Sequence, residues 1–439
     1  MDYLKFYIKT LGCKTNQYES DRLTKELILK GWEKVTEEGS PDVCIVNTCT
    51  VTKQADRKSR QMLRKLISKN PDSKLIAIGC YVNREREELK DINGVFGVFT
   101  NEKKLDLPDI LEDILQISKN SNSNINRKRL SNIKSGKTKP KFLDFSSHTR
   151  GLVKIEDGCD NFCSYCIVPY VRGKPTSRNK DEIIDEIDYL SSEGVKEIVL
   201  TGINIGVYGK DSENRTNLTN LIEEILEKTK IFRIRLSSIE INDISSSLVD
   251  LISKNSRLCS HLHIPLQSGS SNILKMMKRG YNIKQFIKKV NKIRSKIPKI
   301  AITTDLIVSF PGEKEVDFRA SLKAMKKLNF SKVHVFKYSD RPGTLAEKMD
   351  NKISAEVKKV RSKKALELAN NLRRRYLRSN IGKRVNVLVE KVYKENNLRK
   401  GTSENYIRVS FKDDISKKGD VVNVLLEEVK DLEMVGIKI

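Results

Sequence analysis

The sequence predicts an α/β protein in three parts: a doubly wound parallel sheet, a partial (β/α)6 barrel and a small antiparallel β-barrel. Three observations lead there. Short apolar strands alternate with amphipathic helices over residues 1–117, the pattern of a parallel sheet covered on both faces. A second alternating series fills 145–379 with six strand–helix units, fewer than the eight that close a full barrel. Over 380–439 the period changes to short strands separated only by turn residues. At 439 residues the chain exceeds one ordinary core, since roughly 150 residues make a domain.

In the first part, FYIKTLG reads as a strand and Asn16–Lys30 as an amphipathic helix that stops at Gly31. DVCIVNTC follows as a strand, Lys53–Lys69 as a helix ended by Asn70-Pro71, and LIAIGCYV as a third strand. Arg84–Lys90, GVFGVFT and Pro108–Ile117 supply a short helix, a fourth strand and a closing helix. The first three strands each end in a cysteine: Cys13, Cys49 and Cys80. Open α/β sheets collect ligands outside the carboxyl ends of their strands, so three thiols distant in sequence are expected on one sheet edge.

Residues 118–144 break the pattern. The stretch Ser118–Lys141 holds basic residues, Ser and Asn but no acid, and reads as a linker or a surface excursion. The second series then gives strands at GLVKIED, KEIVLTGI, FRIRLSS, SHLHIPL, AITTDLIVS and KVHVFKY. Helices fall at Lys180–Glu193, Leu218–Lys228, Ile244–Lys254, Ile283–Ser295 and Val316–Leu328. A strongly basic helix, AEVKKVRSKKALELANNLRRRYLR, leads to the strands RVNVLVEKVY, YIRVSF, DVVNVLLEEV and LEMVGIKI. Small barrels of this kind often bind single-stranded nucleic acid.

Composition narrows the class. Hydrophobic residues at 38% and charged residues at 32% indicate a globular protein rather than a disordered one. No apolar run approaches the roughly 20 residues of a membrane span, so no membrane partner is expected. The opening MDYLKFYIKT has no basic segment followed by a long apolar stretch, which argues against a signal peptide and for a cytoplasmic protein. A net charge of +27 creates a field that attracts polyanions, with nucleic acid the expected partner. In a reducing compartment the eight cysteines point to metal or cluster ligands rather than disulfides.

The most specific signal is EDGCDNFCSYCIVPYVRGK, with C-x3-C-x2-C at Cys159, Cys163 and Cys166. Thiolates are soft ligands suited to iron–sulfur clusters, and three on one tight loop leave the fourth iron of a cube open. A structural zinc site would need a fourth ligand, and the nearest histidine, His148, is poorly placed before the strand. Phe162 and Tyr165, between the ligands, are expected to shield the site from water. Cys44, mid-strand, and Cys259 read as small buried hydrophobes, and His334 as a core residue.

This loop, after the first strand of a partial barrel, resembles the radical S-adenosylmethionine (SAM) superfamily. TLGCKTNQYESD, VNTCTVT and IGCY narrow the resemblance to the methylthiotransferase family, which it matches over essentially the whole chain. Within that family the chain is most similar to the threonylcarbamoyl branch, with Thr15 a departure where Val is common. The resemblance implies that Cys159, Cys163 and Cys166 hold a 4Fe-4S cluster whose open iron binds SAM. It implies a second 4Fe-4S cluster on Cys13, Cys49 and Cys80, where the sulfur group to be transferred is held. The middle part would be the radical SAM core and residues 380–439 a TRAM-like RNA-binding domain.

The implied activity is methylthiolation at C2 of N6-threonylcarbamoyladenosine beside the anticodon of tRNA, consuming two SAM molecules. Isopentenyladenosine in tRNA is the alternative substrate, and a non-catalytic iron–sulfur RNA-binding or redox-sensing protein the alternative of another class. An electron donor such as flavodoxin or ferredoxin is expected, and the chain is expected to act as a monomer. For SAM the strand ends offer Thr201, Gly202 and Asn204, then Ser238 and Glu240, then His263, Gln267 and Ser268, then Asp305 and Gly312. Tyr406 and Arg408 are the expected base-stacking and phosphate contacts. Chemistry and RNA grip are expected on separable parts, so that 380–439 could be removed without disturbing the rest.

Overall fold

The computed structural model describes residues 3–104, 106–120, 149–211 and 216–439. The basic stretch expected as a linker lies, from residue 121, outside the described residues, as does His148. The chain divides into two compact units. The N-terminal one takes in Tyr170–Arg172, and the other contains the rest of the chain to Ile439.

The N-terminal unit is a five-stranded sheet of β1 (Lys5–Thr10), β2 (Glu33–Lys34), β3 (Val43–Thr48), β4 (Lys74–Gly79) and β5 (Val95–Phe99). Every pairing is parallel and the order is β2-β1-β3-β4-β5. Helices α1 (Lys14–Leu29), α2 (Lys53–Lys69), α3 (Cys80–Arg84), α4 (Arg86–Lys90) and α5 (Leu107–Asn120) connect and cover it. Alternation along the strands sorts the two faces. Val43, Ile45, Ile76 and Ile78 pack with Leu23, Leu27 and Leu111 on one side. Cys44, Val46, Leu75 and Ala77 pack with Leu63, Leu66 and Leu89 on the other. The third strand is shorter than expected: it stops at Gly79 and the chain turns into a helix at Cys80. Gly79 has φ +99, and a Cβ there would come within 2.5 Å of the Asn47 side chain, so only glycine makes this turn.

The second unit contains six parallel strands in sequence order: β6 (Gly151–Lys154), β9 (Glu197–Thr201), β10 (Arg233–Leu236), β11 (His261–His263), β12 (Ala301–Val308) and β13 (Lys332–Lys337). Single bridges Ile234–Leu258 and Ser238–His263 join β10 to β11 and make the partial barrel continuous. A two-stranded ribbon, β7 (Glu156–Asp157) with β8 (Thr176–Ser177), brackets a loop carrying α6 (Val168–Arg172). The outer layer is α7 (Lys180–Ser192), α8 (Leu218–Lys228), α9 (Ser246–Lys254), α10 (Ser271–Met276), α11 (Ile283–Lys296), α12 (Glu315–Leu328) and α13 (Ala355–Arg378). Its apolar faces form one continuous core with Val153, Ile198, Leu200, Ile234, Leu262 and Ile302. Cys259, close to this core, and Cys44 are both buried.

The chain ends in a closed barrel of β14 (Arg384–Tyr393), β15 (Leu398–Ser403), β16 (Arg408–Lys412), β18 (Glu433–Lys438) and β17 (Val421–Lys430). It is not wholly antiparallel, because β16 and β18 pair in parallel to close it. This barrel is clamped to the N-terminal ends of the six strands. The Glu197 carboxylate, fully buried, holds both Arg233 and Arg235. Arg233 donates onward to the carbonyls of Asn386 and Thr402, each at 2.8 Å, and Arg235 to that of Ser403 at 2.9 Å. Tyr406 stacks on His261 with ring centroids 4.4 Å apart and lies beneath Arg235.

These contacts bear on two expectations. Tyr406 is half-buried with one face stacked on His261, and residues 380–439 share one compact unit with the strands they cap. Burial opposes the Glu197 charge, but Arg235 and Arg233 hold its pKa down at about 2. A depressed carboxyl pKa gives stability that is complete above the ordinary glutamate value and lost as pH falls toward 2. Glu197→Gln should therefore cost about 3–5 kcal/mol near neutral pH, as expected for breaking a buried ion pair, and flatten acid unfolding in that window. Urea midpoints measured from pH 7 down to pH 3 would show both effects.

Candidate functional site

Sheet order decides where a ligand would sit in the N-terminal unit. In an order of β2-β1-β3-β4-β5 the connections change direction between β1 and β3, and a crevice opens at their carboxyl ends. Cys13 follows β1, Cys49 follows β3 and Cys80 opens α3 after β4. Gly12 has φ +101 and passes so close that a Cβ would lie 2.9 Å from the Cys49 sulfur. Burial pushes the Cys49 thiol up to about 11, and the nearby Cys80 and Cys13 thiols add to that shift. Cys49 and Cys80 are buried, whereas Cys13 is exposed.

A residue that the sequence did not single out completes this group. Arg172, its side chain 1% exposed, donates from Nε to the Cys80 sulfur at 3.2 Å. The same guanidinium binds Glu19 at 3.0 Å and the Asn16 Oδ1 at 2.5 Å. Glu19 is shared with the buried Lys104 at 2.6 Å. Burial raises the Cys80 pKa, while Arg172 and Lys104 oppose the rise and favour the thiolate.

The second triad is held by its own loop. Gly158, at φ +86, turns the chain into Cys159 where any Cβ would collide with the Lys174 carbonyl. Cys159 N–H donates to the Gly173 carbonyl at 3.0 Å, and Cys166 N–H to the Cys163 carbonyl at 2.9 Å. Ser164 fixes the middle: its N–H binds the Met277 carbonyl at 3.0 Å and its hydroxyl the Met276 carbonyl at 2.8 Å. Tyr165 packs beside Ile273, Met277 and Phe310 as a shield should, but Phe162 is 47% exposed and does not. Arg279 approaches the Cys163 sulfur at 3.2 Å and is anchored by Glu240. Burial works against the Arg279 charge; Tyr165, Tyr281, Glu240 and Cys163 around it hold it protonated.

Burial pushes the Cys159 thiol to about 11 and that of Cys166 to about 12, with Cys163 contributing to both. Among the described residues no three such side chains converge closely enough to hold a single metal ion. Thiolates are the ligand type of an iron–sulfur cluster. Loading must displace their protons.

The expected SAM contacts fall into two groups. Gly202, Asn204, Ser238 and Glu240 lie just beyond the ends of β9 and β10, beside the cysteine loop's base. There Asn204 is engaged by its own fold: its Nδ2 donates to Asp243 at 2.7 Å and its Oδ1 accepts from Glu240 N–H at 3.2 Å. A Cβ at Gly202 would strike Glu156, a 1% exposed carboxylate that the sequence does not mark. Burial raises the Glu156 pKa to about 8, and its Oε2 has no hydrogen-bond partner among the described residues. His263 and Asp305 instead form a chain inside the barrel, His263 Nδ1 to Thr303 at 2.9 Å and Nε2 to Asp305 at 3.2 Å. Half-buried His334 meets His263 edge-on. Gln267, at φ +64, has a buried Oε1 without a partner among the described residues, while Ser268 is buried against Ser321.

Residues 5–100 match the family described as Uncharacterized protein family UPF0004, and residues 153–325 match the Radical SAM superfamily. Threonylcarbamoyladenosine tRNA methylthiotransferase MtaB of Bacillus subtilis is 36% identical over 94% of this chain and 92% of its own. The chain belongs to the radical SAM methylthiotransferase family. MtaB of Thermotoga maritima is also 36% identical, over 92% of this chain and 90% of its own. The tRNA-2-methylthio-N(6)-dimethylallyladenosine synthase of Acetivibrio thermocellus is 34% identical over 98% of this chain and 90% of its own. Among solved structures, the radical SAM methyltransferase TsrM from Kitasatospora setae, with cobalamin and a [4Fe-4S] cluster bound, superposes with a TM-score of 0.57. It covers 79% of this chain and 77% of its own at 17% identity, a likeness of fold. As a radical SAM protein the chain works with a 4Fe-4S cluster and SAM. Among the described residues no helix is long and apolar enough to cross a membrane.

The Ser164 staple gives a local test. Ser164→Ala should cost about 1 kcal/mol for the missing hydrogen bond. Hydrogen exchange of the metal-free protein should accelerate across 159–166 and be unchanged in the N-terminal sheet.

Proposed function

We propose that this protein methylthiolates C2 of N6-threonylcarbamoyladenosine in tRNA, with Cys159, Cys163 and Cys166 holding one 4Fe-4S cluster and Cys13, Cys49 and Cys80 a second. The observation that carries the reading is the second triad. A radical SAM enzyme needs one set of three thiols, and here a further set is assembled from three strand ends at the crevice of a separate sheet. Cys159, Cys163 and Cys166 would hold the cluster that binds SAM, which would supply one-electron radical chemistry. Cys13, Cys49 and Cys80 would hold the cluster that would supply a place for the sulfur group to be transferred.

The chain's own residues prepare both places. Arg172 and Lys104 favour thiolate at Cys80, and Arg279 donates to the Cys163 sulfur. Glu156 Oε2 and Gln267 Oε1 are buried oxygens without partners among the described residues, in the unit that carries the loop triad, and suit the amino group of a bound methionine moiety. Tyr165 keeps water from one side of the loop. Support for threonylcarbamoyladenosine comes from TLGCKTNQYESD and DGCDNFCSYCIVPYVRG and from the relatives named for that substrate. Relatives named for dimethylallyladenosine are nearly as similar, so isopentenyladenosine is the competing substrate.

Mass spectrometry of tRNA nucleosides from cells with and without the gene decides between them. Loss of the methylthio group from threonylcarbamoyladenosine is expected; loss from isopentenyladenosine alone rejects the assignment.

The two triads should also fail differently. Anaerobic reconstitution should give about eight irons per chain, as two four-iron cubes require, and alanine at all three cysteines of either triad should halve that. Without the loop triad, 5′-deoxyadenosine formation and modification should both stop. Without the N-terminal triad, 5′-deoxyadenosine should still form while no methylthiolated nucleoside appears.

A further inference from the structure

Where α13 and β13 meet the closing barrel, the second unit contains a cavity of about 340 Å³ lined by Lys332, Arg373, Arg408, Arg150, Asp431 and Glu433. Its cations are not equally satisfied. Arg150 is neutralised by Glu390 at 3.0 Å. The Lys332 side chain, exposed at the start of β13, has no ion pair or hydrogen bond to a described residue. The buried Arg373 side chain donates, among the described residues, only to the Ser331 carbonyl at 3.4 Å and lies against the Tyr376 ring. Arg408 is 69% exposed, and its nearest carboxylate is Glu433 at 3.9 Å, which also serves Lys400 at 3.3 Å.

Three cations thus face one cavity with the Asp431 carboxylate and a shared Glu433 beside them, and neither carboxylate pairs with Lys332 or Arg373. Desolvation lowers the Lys332 pKa, and repulsion from Arg373 and Arg408 lowers it further; burial lowers that of Arg373, and Arg408 adds to it. A folded chain gains nothing by holding like charges together in a half-dry pocket. An anion entering it would relieve the repulsion and take hydrogen bonds from donors already in place.

We propose that this cleft binds backbone phosphates of the RNA substrate, gripping it at the N-terminal ends of the barrel strands. The proposal rests on the tRNA reading above and adds the site of grip. It also relocates that grip. From its sequence the basic helix α13 is expected to form a phosphate-tracking surface together with the closing barrel, but Arg361 is buried against Glu313 at 2.9 Å and Arg375 binds Asn329. The face that matters is its end, where Arg373 meets Lys332 and Arg408.

The test uses the full chain and unmodified tRNA, with affinity measured by fluorescence anisotropy across a salt series. Each phosphate left without its cation should reduce the slope of log affinity against log salt by about 1. The neutral pair Lys332→Gln with Arg408→Gln should therefore flatten it by about 2, whereas Lys332→Arg with Arg408→Lys should keep it. Because the neutral pair removes repulsion, its Tm should be no lower than that of the unchanged protein. An unchanged slope in the neutral pair overturns the proposal, and so does an equal flattening in the charge-conserving pair. A lowered Tm in the neutral pair overturns it too, by showing a structural role. If ATP or inorganic phosphate raises the Tm of the unchanged protein but not of the neutral pair, while the tRNA slope is the same in both, the site takes a free anion and the RNA assignment falls. Absence of tRNA binding by the unchanged protein refutes the proposed function along with the cleft. Binding with an unaltered slope in the variants refutes the cleft alone.

Discussion

Three thiols that must ionise together inside a protein impose the constraint on which both candidate centres depend. Burial alone drives these sulfurs toward the neutral form, as the raised pKa values of Cys49, Cys159 and Cys166 show. Each unit sets one buried arginine 3.2 Å from a sulfur, pinned by a glutamate. Arg172 with Glu19 stands at Cys80, where it opposes the effect of burial, and Arg279 with Glu240 stands at Cys163. A glutamate alone would repel thiolate, and an unpinned arginine would turn to solvent. Together they hold a cation beside sulfur at a cost in desolvation that the ion pair offsets. Arginine suits the task better than lysine because its fork can bind carboxylate and sulfur at once.

How far these centres are legible in the sequence follows from sequence distance. C-x3-C-x2-C is local, so its spacing can be read directly. The N-terminal triad is legible because each cysteine ends a strand, and parallel strands bring their ends to one edge. The arginines are not, since Arg172 lies 92 residues from Cys80 and Arg279 lies 116 from Cys163. No period or motif links such pairs. Glu156 is hidden for another reason: its Oε1 accepts from Asn204 N–H while its Oε2 has no partner among the described residues, which only packing reveals. Asn204 is a polar residue at a strand end whose amide also binds Asp243 and the Glu240 N–H, contacts that its place in the sequence does not announce.

The fold shows the same division. Helices with clear apolar faces are plain in the sequence, and Lys53–Lys69 and Leu218–Lys228 match residue for residue. The third strand is overextended by pattern alone because IGCYV continues an apolar run. What ends it is the positive φ of Gly79 packed against Thr48, a tertiary contact. The parallel pairing of β16 with β18 is likewise invisible, because strand composition does not record which neighbour closes a barrel.

The closing barrel shows why charge composition alone misplaces function. A net charge of +27 marks an affinity for polyanions, yet a good part of the basic residues never meets one. Arg233 and Arg235 are consumed by Glu197 and by barrel carbonyls, and Arg361 by Glu313. Those arginines act as mortar. The informative cations are the few that the fold leaves without a close ion pair, because retaining them in a cavity costs stability that Asp431 and a shared Glu433 offset only in part. Partners counted residue by residue separate the two kinds and lead to Lys332, Arg373 and Arg408. The same accounting explains why the closing barrel and the six strands form one unit: the clamp through Glu197 and the stack of Tyr406 on His261 fix the walls between which that cleft lies.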